Sequence, residues 1–337
     1  MSITNHFISF HPIDLASDQI NAVDIAQKED VFAYVNDLVE NIISANDQRE
    51  YKFTRSTTEV CQAILNMVGQ RACAPHAQTV ANRLLETEKE AQRSVAHMQV
   101  AIQKGNLFHV VFKRNGVEMI LIAKVDLNSF LDQTDFKKHA GLPFEKRILK
   151  TCLVEFAEQN EIAKITVSDT NNAKYWWKDF LELEEITSDE KNTKLAFNSI
   201  DHTLGVQLKR NFPSDYTYLR NNFIGYFRTQ PRFSFDEFQR HVFGAYRPND
   251  PNLDMQKLKS EIQKLPQKHK FDSTFNVVED EIRGRFRRVI LLTDKIKLEL
   301  TDNVENLGSA VEAKQINGKK GIFIKSDDGY DAFHKAE

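Results

Sequence analysis

Between Glu29 and Ala45, apolar side chains recur at Phe32, Val35, Leu38, Val39, Ile42 and Ile43. Steps of three and four put them on one helical face, with acids in the first turn. The same rhythm predicts helices over 57–69, stopped by Gly69, and over 76–104, stopped by Gly105. In the last of these, Leu84, Ala91, Val95, Met98 and Ile102 are spaced close to a heptad seam. Such a seam either pairs subunits, making a homodimer a candidate assembly, or lays a long helix across the chain's own sheet.

Elsewhere the rhythm shortens to two. His6–Ile13 alternates as a short strand that Pro12 ends or places at a sheet edge. The runs LFHVVFK and VEMILIAKVDL flank Asn115-Gly116, a dipeptide suited to a type I′ turn, and predict a hairpin over 107–127. Both runs are almost continuously apolar, so both faces of the hairpin are expected to be covered. A helix over 144–158, a strand over 162–168 and a helix over 171–183 follow, and Phe197, Ile200 and Leu204 continue in helical spacing. From 212 to 265 the pattern is mostly helical, punctuated by Pro213, Pro231, Pro248 and Pro251. Residues 275–278, 285–292, 295–300 and 321–325 read as strands, with a turn at Asn317-Gly318. The expected fold class is α+β. A mixed α/β part with a central hairpin fills 1–200, a helical segment 201–270, and a small β-rich unit 271–337.

Composition narrows the class. With 41% apolar and 28% charged residues, a chain of 337 residues is long enough for two or three cores. Cys61, Cys73 and Cys152 are odd in number and far apart, which suits buried, reduced thiols. No apolar run approaches the roughly 18–20 residues of a membrane helix, and the N-terminus has no secretory pattern, so a cytoplasmic protein is expected. The net charge of −3 argues against coating DNA by bulk electrostatics, but its distribution is uneven. Lys and Arg minus Asp and Glu give 22 − 28 = −6 over 1–200, 18 − 13 = +5 over 201–300 and 5 − 7 = −2 over 301–337.

Catalytic signatures are missing: the chain has no G-x-S-x-G, P-loop, G-x-G-x-x-G or H-E-x-x-H. Neither a metal nor another cofactor is implied, and His97 and His109 read as packing or surface residues. Glu118, Lys124 and Asp126 share one face of the second hairpin strand, but Glu118 and Lys124 stand about 20 Å apart, too far for a nuclease pair. Trp176, Phe180 and Leu183 follow the spacing of a buried stripe, so Tyr175-Trp176-Trp177 anchors a core more readily than it stacks on bases. The basic third offers a different chemistry. Lys209, Arg210, Arg220, Arg228 and Arg232 are interleaved with aromatics, and Arg283, Arg285, Arg287 and Arg288 crowd into six positions. This composition suits phosphate contacts, and equally suits arginines lying over an aromatic core. In a strand, Arg283, Arg285 and Arg287 would form a row with a step of about 7 Å, near the spacing of successive phosphates.

The segments FISFHPID, GNLFHVVFKRNG with MILIAKVDL, DTNNAKYWWKDFLELEEITSDEKNT, RRVILLTDKIKLEL and GKKGIFIKS occur in an order that resembles the bacterial 37-kDa nucleoid-associated protein family. That resemblance implies a non-enzymatic protein of the cytoplasm and nucleoid that contacts DNA or a DNA-bound protein. A protein-interaction or regulatory module, including one related to phage defence, is the alternative reading, with a metal-dependent nuclease third.

Overall fold

Side chains of the central hairpin point alternately into two cores. In the computed structural model, which describes residues 3–25, 29–45, 47–69, 72–98, 101–102, 105–126, 128–131, 138–141, 148–169 and 173–334, the chain divides into two units, Met1–Ile186 and Thr187–Glu337. The first unit is built on β1 (Ile3–Ile13), β2 (Arg49–Phe53), β3 (Gly105–Arg114), β4 (Val117–Asp126), β7 (Ile148–Phe156), β8 (Ile162–Asp169) and β9 (Leu183–Glu185). They form one sheet in the order β1-β3-β4-β7-β8-β2-β9, and every pairing is antiparallel. A separate short ribbon joins β5 (Asn128–Leu131) to β6 (Lys138–Gly141).

Each face of this sheet has its own cover. Phe108, Val110 and Phe112 of β3, with Leu121, Ala123 and Val125 of β4, pack under Val35, Leu38, Val39 and Ile42 of α1 (Glu29–Ser44). Leu107 and Val111, with Ile120, Ile122, Cys152 and Val154, pack under α2 (Glu59–Gly69) and α3 (Cys73–Val95). Both faces of the predicted hairpin are thus covered, and Asn115 and Gly116 carry the positive φ values, 51° and 85°, that its turn requires. Ala77, Val80, Ala81, Leu84 and Leu85 seat α3 in the second of these cores. The predicted long helix therefore lies across its own sheet. It ends at Val95, a 3₁₀ turn follows over Ala96–Met98, and Met98 is exposed. The three cysteines are free and buried.

Two predicted helices are corrected. Residues 148–156 form the central strand β7, because a run covered on both faces is apolar on both and loses strand alternation; 144–147 lie outside the described residues. Tyr175–Phe180 is a π-helical turn leading into β9, rather than a helix to 183. Arg83 donates to the carbonyls of Phe180 and Asp179, both at 2.8 Å, and so satisfies the end of that turn. Trp176 and Phe180 are buried in the α3-side core.

The second unit gathers α4 (Asp189–Leu208), α5 (Pro213–Thr229), α6 (Phe235–Gln239), α7 (Met255–Gln263) and α8 (Leu265–His269) around one aromatic core. Phe197, Phe223, Phe227, Phe233 and Phe238 meet there at ring-centroid distances from 4.6 to 6.2 Å. Ser188 caps α4 by accepting from the Lys191 N–H, and Asp254 caps α7 by accepting from the Lys257 N–H. The short pair β10 (Arg232–Ser234) and β11 (Thr274–Asn276) stacks Phe233 on Phe275. Beyond it stand two hairpins, β12 (Arg288–Thr293) with β13 (Ile296–Leu300), and β14 (Val311–Ile316) with β15 (Lys319–Ile324). A turn of helix, α9 (Leu307–Ala310), separates them and α10 (Asp327–Phe333) follows. The expected boundaries at 200 and 270 fall inside this unit: α4 runs through residue 200, and Phe271 and Phe275 share the core of α4 and α5.

Candidate nucleic-acid interface

The nine basic residues singled out in the sequence do not make a phosphate-tracking row. Arg283–Arg285 is a 3₁₀ turn, and the strand begins at Arg288, so Arg283, Arg285 and Arg287 share no strand face. The cause is Arg220, buried on α5. It pairs with Asp201 at 2.7 Å and donates to the carbonyls of Arg285 at 2.8 Å and Phe286 at 3.3 Å. Those carbonyls are thereby turned inward, away from any ladder partner.

Most of the remaining charges are matched. Arg228 pairs with Glu279 at 2.6 Å and Asp302 at 2.9 Å, Arg283 with Glu279 at 2.9 Å, and Arg287 with Glu299 at 2.5 Å. Arg288 lies over the Tyr216 ring at 4.6 Å, and Arg232 donates to Thr274 at 2.9 Å. Lys209, Arg210 and Arg285 are exposed. Lys194 of α4 pairs with Glu281, and Lys209 lies fifteen residues further along the chain, about 22 Å at helical rise.

A different basic surface appears on α7 and α8. Residues 255–270 contain Lys257, Lys259, Lys264, Lys268 and Lys270 against the single acid Glu261, a net of 5 − 1 = +4. Leu258, Ile262 and Leu265 are the buried positions, at steps of four and three, and they dock the pair into the aromatic core. Lys257, Lys264, Lys268 and Lys270 stay exposed. Glu261 pairs with Lys264 at 2.8 Å, and its carboxyl is held below the usual range first by that hydrogen bond and charge, then by Lys268 and Lys257. One carboxylate thus feels three lysines. The signal was present in the sequence as Lys257, Glu261, Lys264 and Lys268 at steps of four, three and four, beside the buried stripe. Along the chain it is the weaker signal, because four arginines fall within six positions at 283–288 whereas these lysines are spread over 257–270.

The first unit holds a second polar group of side chains, under α3. Its row crosses the sheet through the paired positions His11, Leu107, Lys124, Lys150 and Asp169. Lys124 and Glu88 of α3 are both 1% exposed and pair at 2.5 Å, and Lys150 pairs with Asp169 at 2.6 Å. The Tyr175 hydroxyl lies 3.3 Å from Glu88, and its ring faces Lys150 at 5.2 Å. Tyr175 is pushed upward by burial first and by the Glu88 and Asp169 charges next. In the neighbouring row, burial drives His109 down to about 3, with His11 adding to the shift. Its Nδ1 meets the Ser9 hydroxyl at 3.2 Å. Burial lowers His11 too, partly offset by Gln78. These cations and carboxylates are matched within the protein, so the cluster pins α3 to the sheet. Glu118, at the far end of β4, pairs with Lys113 at 3.3 Å, apart from Lys124. Among the described residues, no three His, Cys, Asp or Glu side chains converge to hold a metal ion, and no helix is long and apolar enough to cross a membrane. No family model matches the chain, and no curated protein matches it.

Proposed function

We propose that this chain contacts the DNA backbone through the lysine face of α7 and α8, as a non-enzymatic protein of the bacterial nucleoid. The observation that carries the reading is the contrast in charge matching: the arginines at 220, 228, 283 and 287 sit on carboxylates, whereas three exposed lysines, Lys257, Lys264 and Lys268, share Glu261, and Lys270 is exposed beyond them. Flexible lysines over phosphates position a protein without reading bases, so binding is expected to be insensitive to sequence. The order of segments resembling the 37-kDa nucleoid-associated family supports the nucleoid as the setting.

Fluorescence anisotropy on a labelled duplex, titrated at several salt concentrations, tests this. Each neutralised phosphate contributes about 0.9 to the slope of log affinity against log salt. Changing Lys257, Lys268 and Lys270 together to Gln is expected to lower that slope by roughly 2.7. Arg283→Gln with Arg287→Gln should leave it unchanged. No binding at low salt, or an unaltered slope in the lysine variant, rejects the reading.

A second reading, a protein-interaction module, rests on the C-terminal hairpins. Val289, Leu291, Ile296, Ile316, Ile322, Phe323 and Ile324 are exposed there on two-stranded ribbons, which are marginal structures without a covering partner. Capture of a protein partner that survives nuclease treatment, and is lost on Leu291→Lys with Phe323→Lys, would favour it.

A further inference from the structure

We infer that the hairpin of β14 and β15 is a second DNA contact, an arm that enters the major groove with its turn leading. The inference rests on the reading that this chain binds duplex DNA, and it adds a groove to the backbone contact of α7 and α8.

Burial separates the two C-terminal hairpins. In β12 and β13 one face is half-buried: Arg288, Ile290, Leu298 and Leu300 alternate with exposed neighbours, and Arg288 covers the Tyr216 ring of α5. That hairpin is a flap on its own unit. In β14 and β15 every residue from Ala313 to Ile324 is exposed, on both faces. The hold is at the base: Leu307 of α9 is buried, Asn221 of α5 exchanges hydrogen bonds with Val304 at 2.8 and 2.9 Å, and the Lys325 N–H closes the ribbon on the Ala310 carbonyl at 3.0 Å. At the outer end Asn317 and Gly318, with φ of 50° and 79°, make a two-residue turn, so the tip is narrow as well as free.

Charge is sorted along this arm. Residues 313–322, its outer part, carry Lys314, Lys319 and Lys320 and no acid, 3 − 0 = +3. Glu312 stands at the base and pairs with Lys314 at 3.0 Å, and the acids of α10, Asp327, Asp328 and Asp331, follow that same end. Lys319 and Lys320 pair with no carboxylate among the described residues. Pleating sends these two to opposite faces, and the register, with Lys314 across from Gly321, puts Lys314 on the face of Lys319. A flat anionic surface, such as a membrane or the acidic side of a protein, would engage one face and leave the other cation in water. A groove engages both faces, because a phosphate backbone runs along each wall. A sheet with its side chains is about 10 Å thick, which suits the major groove at about 12 Å and exceeds the minor groove at about 6 Å. Ile316, 66% exposed beside the turn, would then lie on the groove floor, where thymine methyl groups are the apolar feature.

The test is dimethyl sulfate footprinting of the full chain on a short duplex, with anisotropy at several salt concentrations. The reagent methylates guanine N7 in the major groove and adenine N3 in the minor groove, so one gel reads both. Guanine N7 is expected to be protected and adenine N3 to stay reactive. Lys319→Gln with Lys320→Gln should abolish the protection and lower the slope of log affinity against log salt by about 1.8, two phosphates at about 0.9 each. Circular dichroism checks that the variant keeps its fold. Protection of adenine N3 in place of guanine N7 overturns the assignment. So does either an unchanged slope or unchanged protection in the variant, which would leave the ribbon to a protein partner. The two contacts fail separately. The variant with Lys257, Lys268 and Lys270 changed to Gln should keep the N7 protection at saturating protein, and an unaltered slope there rejects α7 and α8 without touching the arm. Absence of binding by the unaltered chain at low salt rejects both.

Discussion

His109 shows how one residue's surroundings set a property of the whole chain. Its ring is fully buried between β1 and the α3-side core and is held down to about 3. The unfolded chain keeps the ordinary value of 6.5. Above pH 6.5 the ring is neutral in both states and contributes no pH dependence. From 6.5 down towards 3, the unfolded chain takes up a proton that the folded chain refuses, so stability falls by up to about 1.4 kcal/mol per pH unit. His11, lowered by the same cause, acts in the same direction. In His109→Gln this component is gone, so the loss of stability between pH 7 and pH 5 should shrink by about 2 kcal/mol. Urea unfolding of both proteins at the two pH values measures it, and equal losses would refute the assignment. The sequence left His109 as a packing or surface residue, and its place inside the doubly covered β3 decides for packing. That Lys124 would be as buried was not legible: its partner Glu88 is 36 positions away, on a helix whose polar residues all look solvent-facing in one dimension.

At the scale of elements, the Lys124–Glu88 pair links α3 to the centre of the sheet. A buried pair costs desolvation on forming, yet removing one member strands the other. Lys124→Met is therefore expected to destabilise the first unit by about 3–5 kcal/mol, and Lys124→Met with Glu88→Leu to restore much of that loss. Chemical denaturation of the singles and the double closes the cycle; additive losses would mean that the two charges do not act as a pair. The elements themselves were legible where one rhythm dominated, as in α1 and the β3–β4 hairpin with its Asn115-Gly116 turn. They were misread where burial on both faces erased the rhythm. ILKTCLVEF of β7 carries apolar residues on both sides and reads equally as a helix, and only its place between β4 and β8 makes it a strand. The arginine segment failed for another reason. Local alternation favoured a strand, and Arg220, some 65 residues earlier, captured the carbonyls that a ladder would have used.

For the whole molecule, the division at Ile186 and Thr187 separates cores and charge together. Apolar clusters on the two sheet faces lie wholly within the first unit, and the aromatic cluster lies wholly within the second. Over the same residues the charges are 20 − 26 = −6 for 1–186 and 25 − 22 = +3 for 187–337. The sequence carried the asymmetry but not the boundary, because Phe197, Ile200 and Leu204 look like a continuation of the preceding helix until their partners Phe223 and Phe227 are known. A unit with its own core folds alone, so residues 1–186 and 187–337 produced separately should each unfold cooperatively in urea. The acidic one should not bind a duplex, and the basic one should keep the salt-dependent binding of the full chain, with the same slope. Retention of DNA by 1–186, or loss of slope in a folded 187–337, would move the nucleic-acid contact off α7 and α8.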